Sequence, residues 1–199
     1  NNGHIHSQYG DGIAALFGSM SGSLTNGPTG LIDGHDAIHI ASTFDNWAGG
    51  IFNSGSIAGD NSGIRIGDHD VAYPDDVSFS GGIHNLAGGH ITGGIGPSIH
   101  ISGQSFSGGI TNAGTISQVL PNPELYYGPV DGEAIVITSH TFGGGITNTG
   151  LIEGLAGPAI SIRDSVSTFG SDIVNGGTIR GYSDGIVIEA ATVNGKIGR

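Results

Sequence analysis

The chain contains no cysteine, which removes disulfides, thiolate metal sites and cysteine nucleophiles together. Fixed positive charge is almost as scarce. Lys and Arg number 5 against 17 Asp and Glu, for a formal charge of −12, and such a surface repels phosphate, so neither nucleic acid nor anionic membrane is an expected partner. No run of about 20 apolar residues occurs, so no direct helical insertion into a membrane is expected. Proline is limited to 7 residues and no Gly-X-Y period exists, which excludes collagen in spite of 40 glycines. Charged residues make up only 11% of the chain and apolar ones 36%, much of it isoleucine at regular positions, a balance opposite to that of disordered sequences. What remains abundant is Ile, Val, Thr and aromatics on one side and Gly, Asn, Asp and Ser on the other, the compositions of strands and turns. The opening Asn1-Asn2-Gly3 has neither an initiator Met nor a signal peptide and reads as a mature fragment or an excised segment.

Self-similarity organises the rest. Asn26, Asn53, Asn85, Asn112, Asn148 and Asn175 each close an Ile-x-Asn or Leu-x-Asn element, and follow one another at 27, 32, 27, 36 and 27 residues. Asn1-x-Gly3-x-Ile5 matches Asn53-x-Gly55-x-Ile57 and reads as the remnant of an earlier copy. Other columns share the register: Phe17, Phe44, Phe79, Phe106, Phe142 and Phe169 before the asparagine, with Val193 in a truncated last copy, and Ile5, Ile32, Ile57, Ile91, Ile116, Ile152 and Ile179 after it. A further strand carries isoleucine pairs with one residue between, such as Ile64/Ile66 and Ile99/Ile101. Each copy thus predicts three short strands of period two, and no stretch has helical periodicity.

Three strands of this length cannot bury their apolar side alone, but coiling the chain so that equivalent strands stack about 4.8 Å apart turns every isoleucine column into an internal ladder. The expected fold is therefore all-β, a single right-handed parallel β-helix over residues 1–199, with three strands per rung and about seven rungs, a rod on the order of 35 Å long. The asparagine column falls where the chain turns sharply between strands. Asparagine tolerates a left-handed backbone there, and its stacked amides can donate to one rung and accept from another.

The copies differ at two insertions, 67–78 and 117–133, and projecting loops are where solenoids usually place specificity. The first carries Asp68, Asp70, Asp75 and Asp76, four hard oxygen donors suited to calcium if the loop folds back, although no cofactor is required by anything else in the sequence. Trp47, Phe52, Tyr73, Tyr126 and Tyr127 are candidates for an exposed aromatic strip that binds sugar or protein. Outward between the paired isoleucines stand His39, Arg65, His100, Val136, Ser161 and Val187, with the histidines flanking a cation and no carboxylate in the column.

The Phe-x-Gly-Gly-Ile-x-Asn-x-Gly-x-Ile-x-Gly copies, clearest in Phe142-Gly143-Gly144-Gly145-Ile146-Thr147-Asn148-Thr149-Gly150-Leu151-Ile152-Glu153-Gly154, resemble the repeats in passenger domains of bacterial autotransporter (type V secreted) surface proteins. The resemblance spans nearly the whole chain. It implies an extracellular location, at the bacterial surface or secreted, an adhesin-like stalk, and partners that are either further copies or a protein or glycan on a host or neighbouring cell.

Catalytic-looking strings resolve into turns. Gly181-Tyr182-Ser183-Asp184-Gly185 fits a nucleophile elbow without the strand–turn–helix context that the elbow needs, Gly59-Asp60-Asn61-Ser62-Gly63 fills the equivalent slot, and Gly10-Asp11-Gly12-Ile13-Ala14-Ala15 lacks the helix of a dinucleotide fingerprint. The expectation is a non-enzymatic protein. The alternatives are a structural solenoid subunit of an extracellular filament or layer, and a polysaccharide lyase or hydrolase, which would need clustered outward carboxylates.

Overall fold

In the computed structural model, described for residues 1–16, 18–41, 44–68, 77–119 and 132–198, the chain coils into a parallel β-solenoid. The strands fall into four sheets of seven strands each, and equivalent strands of successive rungs pair in parallel. A rung therefore has four strands and not the three read from the periodicity. In the first rung they are His4–His6, Ile13–Ala15, Gly18–Met20 and Leu24–Asn26, which found the first, second, third and fourth sheets respectively. The additional strand is the phenylalanine-bearing one. In most rungs it is only two residues long, as in Ser105–Phe106, and contributes a single inward side chain, so it leaves no alternation to detect.

The interior is a set of like-on-like columns. Ile32, Ile57, Ile91, Ile116 and Ile152 stack in the first sheet, all fully buried. The second sheet adds two columns per strand, Ile64 on Ile99 and Ile66 on Ile101 among them. Each such side chain contributes roughly 1.5–3 kcal/mol on burial. In the third sheet Phe79, Phe106, Phe142 and Phe169 stack with ring centroids 5.2, 5.2 and 5.4 Å apart and planes within 6° of parallel, inside the separation range of favourable aromatic pairs.

Register corrects the aromatic column at its start. Phe79 pairs with Trp47, and Trp47 with Met20, so these residues and not Phe44 and Phe17 continue the column; Phe44 lies opposite Gly18, next to a register shift, and Phe17 falls outside the described residues.

Two polar devices hold the corners between strands. Before the fourth sheet, Gly50, Gly82, Gly109 and Gly145 stack with φ of 78°, 77°, 75° and 71°, a left-handed conformation that L side chains rarely adopt. After it runs the asparagine ladder, Asn1 to Asn26 to Asn53 to Asn85 to Asn112 to Asn148 to Asn175, in which each Nδ2 donates to the next Oδ1 at 2.7–3.0 Å. The predicted ladder is present, but its expected backbone is not. Among the described residues only glycines have positive φ; the asparagines turn the chain with their side chains instead, Asn53 Oδ1 accepting from the Gly55 N–H at 3.2 Å while its Nδ2 donates to the Gly55 and His90 carbonyls.

Candidate functional site

Strand alternation sends the middle residue of each second-sheet strand outward, and register then stacks Ala14, His39, Arg65, His100, Val136, Ser161 and Val187 on one face. His39 and His100 flank Arg65 in adjacent rungs, as the periodicity requires. Carboxylates reach this column from the turn before a strand, as Asp11 does, and from just after one, as Asp68 does. Asp11 Oδ2 lies 2.9 Å from His39 Nδ1, and Asp68 Oδ1 lies 2.9 Å from His39 Nε2. His39 thereby joins a carboxylate of the rung before it to a carboxylate of the rung after it.

One rung further on, Asp36 is 1% exposed and would be costly to bury without partners. Its Oδ1 accepts from Asn61 Nδ2 at 2.8 Å and from the Ser62 N–H at 2.9 Å, and its Oδ2 lies 3.4 Å from Arg65 Nη1. Glu133, also buried, bonds Arg163 in the same manner across rungs. Beside these pairs a shallow polar groove runs between Pro97, His100, Thr138, Arg163 and Asp164, with Thr138 Oγ1 3.4 Å from His100 Nε2. Imidazole, hydroxyl and guanidinium donors side by side suit the hydroxyl and carboxylate groups of a glycan or a polypeptide surface.

The insertions adjoin the same sheet from opposite ends. Residues 67–78 leave directly from Ile64–Ile66, and 117–133 lead directly into Ile135–Ile137. Each insertion is thus joined in sequence, at one of its two ends, to a strand of the sheet carrying the charged column.

Of the residues proposed for calcium, Asp68 sits against His39, and Asp70, Asp75 and Asp76 lie outside the described residues. Tyr73, Tyr126 and Tyr127 lie outside them as well. Trp47 is not part of an exposed strip: it is 1% exposed, edge-on to Phe79 at 5.6 Å, with its indole N–H donating to the Gly22 carbonyl at 2.8 Å. The reason is register, which puts it in the inward phenylalanine column. Phe52 does point outward, half-buried, and stacks on His84 with ring centroids 4.6 Å apart.

Asp11, Asp36 and Glu133 are the site residues that the column reading misses. Their signal lies two positions before each first isoleucine, where the copies read Asp11, Asp36, Ser62, Pro97, Glu133, Pro158 and Asp184. Asp11, Asp36 and His39 offer ligand atoms within 4.8 Å of one another, yet Asp36 already serves Ser62, Asn61 and Arg65, so the cluster is built as a latch between rungs. Two of the catalytic-looking strings lie at this same turn between the first and second sheets, and the third, Gly10–Ala15, begins in it and runs into the strand Ile13–Ala15. Comparison of the chain with family models, with curated proteins and with solved structures finds no match.

Proposed function

We propose that this chain is a non-enzymatic stalk or adhesin-like passenger segment of a bacterial surface protein, acting outside the cell in self-association or in adhesion to a protein or glycan on a neighbouring surface. The observation that carries the reading is the attachment of both insertions, 67–78 and 117–133, to the sheet whose outward column holds His39, Arg65 and His100. The core columns repeat with little change from rung to rung, which serves a rod. The outward positions and insertions vary, which serves recognition. The repeat-level likeness to autotransporter passengers supports the rod and is the ground for the proposed compartment.

The test displays the chain on the surface of a non-adherent bacterium and scores cell clumping and attachment to coated surfaces. In a matched variant, residues 67–78 are replaced by Ser-Gly-Gln-Ser, the four-residue connector that residues 102–105 use at the equivalent position. Clumping or attachment by the parent, lost in the variant while its circular dichroism stays that of a β-solenoid, supports the proposal. A parent that neither clumps nor attaches, or a variant equal to the parent, refutes it.

A further inference from the structure

Away from the charged column, at the outward side of the first sheet, the geometry points to a binding site for a divalent transition-metal ion formed by His4, His6 and Asp33. His4 and His6 are separated by one residue on the strand His4–His6, so alternation sends both imidazoles to the same side while Ile5 turns into the core. Asp33 is the register partner of His6 in the next rung, and its carboxylate comes up beneath the two rings. A single oxygen, Asp33 Oδ1, lies 2.7 Å from His4 Nε2 and 3.2 Å from His6 Nδ1, and the ring centroids are 5.4 Å apart. All three ligand atoms lie within 4.8 Å of one another.

These separations are near what a metal requires. Donors about 2.0–2.2 Å from a tetrahedral ion stand roughly 3.3 Å apart, so an ion entering the triangle needs only small side-chain rotations and takes the place of the protons that now join the rings to the carboxylate. The side chains of His4 and His6 are 52% and 54% exposed and that of Asp33 is 29% exposed, which leaves the site open to solvent and its remaining coordination positions to water.

The donor set selects the ion class. Two imidazole nitrogens and one carboxylate oxygen suit zinc, nickel or copper(II), with copper(II) held most tightly, and do not suit calcium or magnesium, which take oxygen ligands in larger number. The positions stacked on the triad carry no cation: the next residue in the Asp33 column is Ala58, and the residues following His4 in its column are Leu31 and Ser56. This distinguishes the triad from the Asp11–Asp36–His39 cluster, where Arg65 already neutralises Asp36.

Zinc chloride titrated calorimetrically into the protein, prepared without a histidine tag, tests the site. The expected result is one tight equivalent per chain, with His4→Ala and His6→Ala each raising Kd by at least about tenfold, Asp33→Asn raising it measurably, and His39→Ala leaving it unchanged. Because the triad is exposed, the urea midpoints of the variants should stay at the parent value. In the unsubstituted protein, zinc should also perturb the ring ¹H–¹⁵N resonances of His4 and His6 before those of the other histidines, a readout independent of any variant's folding. Absence of zinc binding by the parent, tight binding that survives the double variant His4→Ala/His6→Ala, or first perturbation at other histidines would each overturn the assignment.

Discussion

Asn85 Nδ2 lies 2.8 Å from Asn112 Oδ1, one rung away, and the same nitrogen also donates to the Gly89 carbonyl of its own turn and to the Thr115 carbonyl beyond. One side chain thereby ties a turn to itself and two rungs to each other. Both residues are almost wholly buried, so each link is made where water cannot substitute for it.

Asn112→Ala should accordingly destabilise the chain by about 1–3 kcal/mol, the cost of leaving buried polar groups without partners. Asn112→Asp is more informative. The carboxylate can still accept from Asn85 but cannot donate to Asn148 Oδ1 at 2.7 Å or to the Leu151 carbonyl at 2.9 Å. Facing these oxygens, the aspartate should have its folded pKa raised above the unfolded value, so its stability relative to the parent should fall as pH rises and recover as acid protonates it. Urea unfolding of both variants at several pH values reads this directly; a pH-independent penalty in the aspartate variant would contradict the ladder.

Gly109→Ala should be damaging for two reasons that act together. Its φ is 75°, where an L side chain costs roughly 1–2 kcal/mol, and an added Cβ would meet the Gly144 carbonyl oxygen at 2.3 Å. A loss of about 2 kcal/mol or more in chemical unfolding is expected. Gly88→Ala has a φ of 82° but no atom near the added Cβ, and should lose only the conformational part.

Trp47 is the sole tryptophan, so fluorescence reports its position without ambiguity. Its emission should be blue-shifted, resist iodide quenching, and move to the red only on unfolding. Trp47→Phe should be tolerated with a modest loss, because a phenyl ring continues the Phe79 column. Trp47→Ala should cost about 3–5 kcal/mol. Ready quenching in the native state would contradict its place in the core.

Protonation of all nine histidines would bring the formal charge from −12 to −3. Mutual repulsion between copies falls with it, so light scattering should rise between neutral pH and pH 5, and salt added at neutral pH should act in the same direction by screening. Scattering that stays flat across this range would exclude charge-limited self-association.

The isoleucine and asparagine columns were legible in the sequence because the Ile-x-Asn or Leu-x-Asn element and the Ile-x-Ile pair keep their internal spacing while the segments between them lengthen or shorten. The third sheet was not. A two-residue strand with one inward side chain has no second point to establish a period, and the connectors leading to it vary in length, which let Phe44 stand in for Trp47. At the charged face, alternation placed His39, Arg65 and His100 correctly, since facing outward is a local property of a strand. Their carboxylate partners lie 28–29 residues away along the chain and one rung away in space, Asp11 from His39 and Asp36 from Arg65. No local pattern joins such pairs; only the register of the coil does.

The asparagine ladder also gives the rod an electrical direction. From Asn1 to Asn148 each side-chain amide donates to the higher-numbered rung, and from Asn26 to Asn175 each side-chain oxygen accepts from the lower. Their dipoles add instead of cancelling, and each polarises the next. A rung stacked in reverse would set oxygen against oxygen or amine against amine at that corner, so the column distinguishes one sense of stacking from the other by charge as well as by shape.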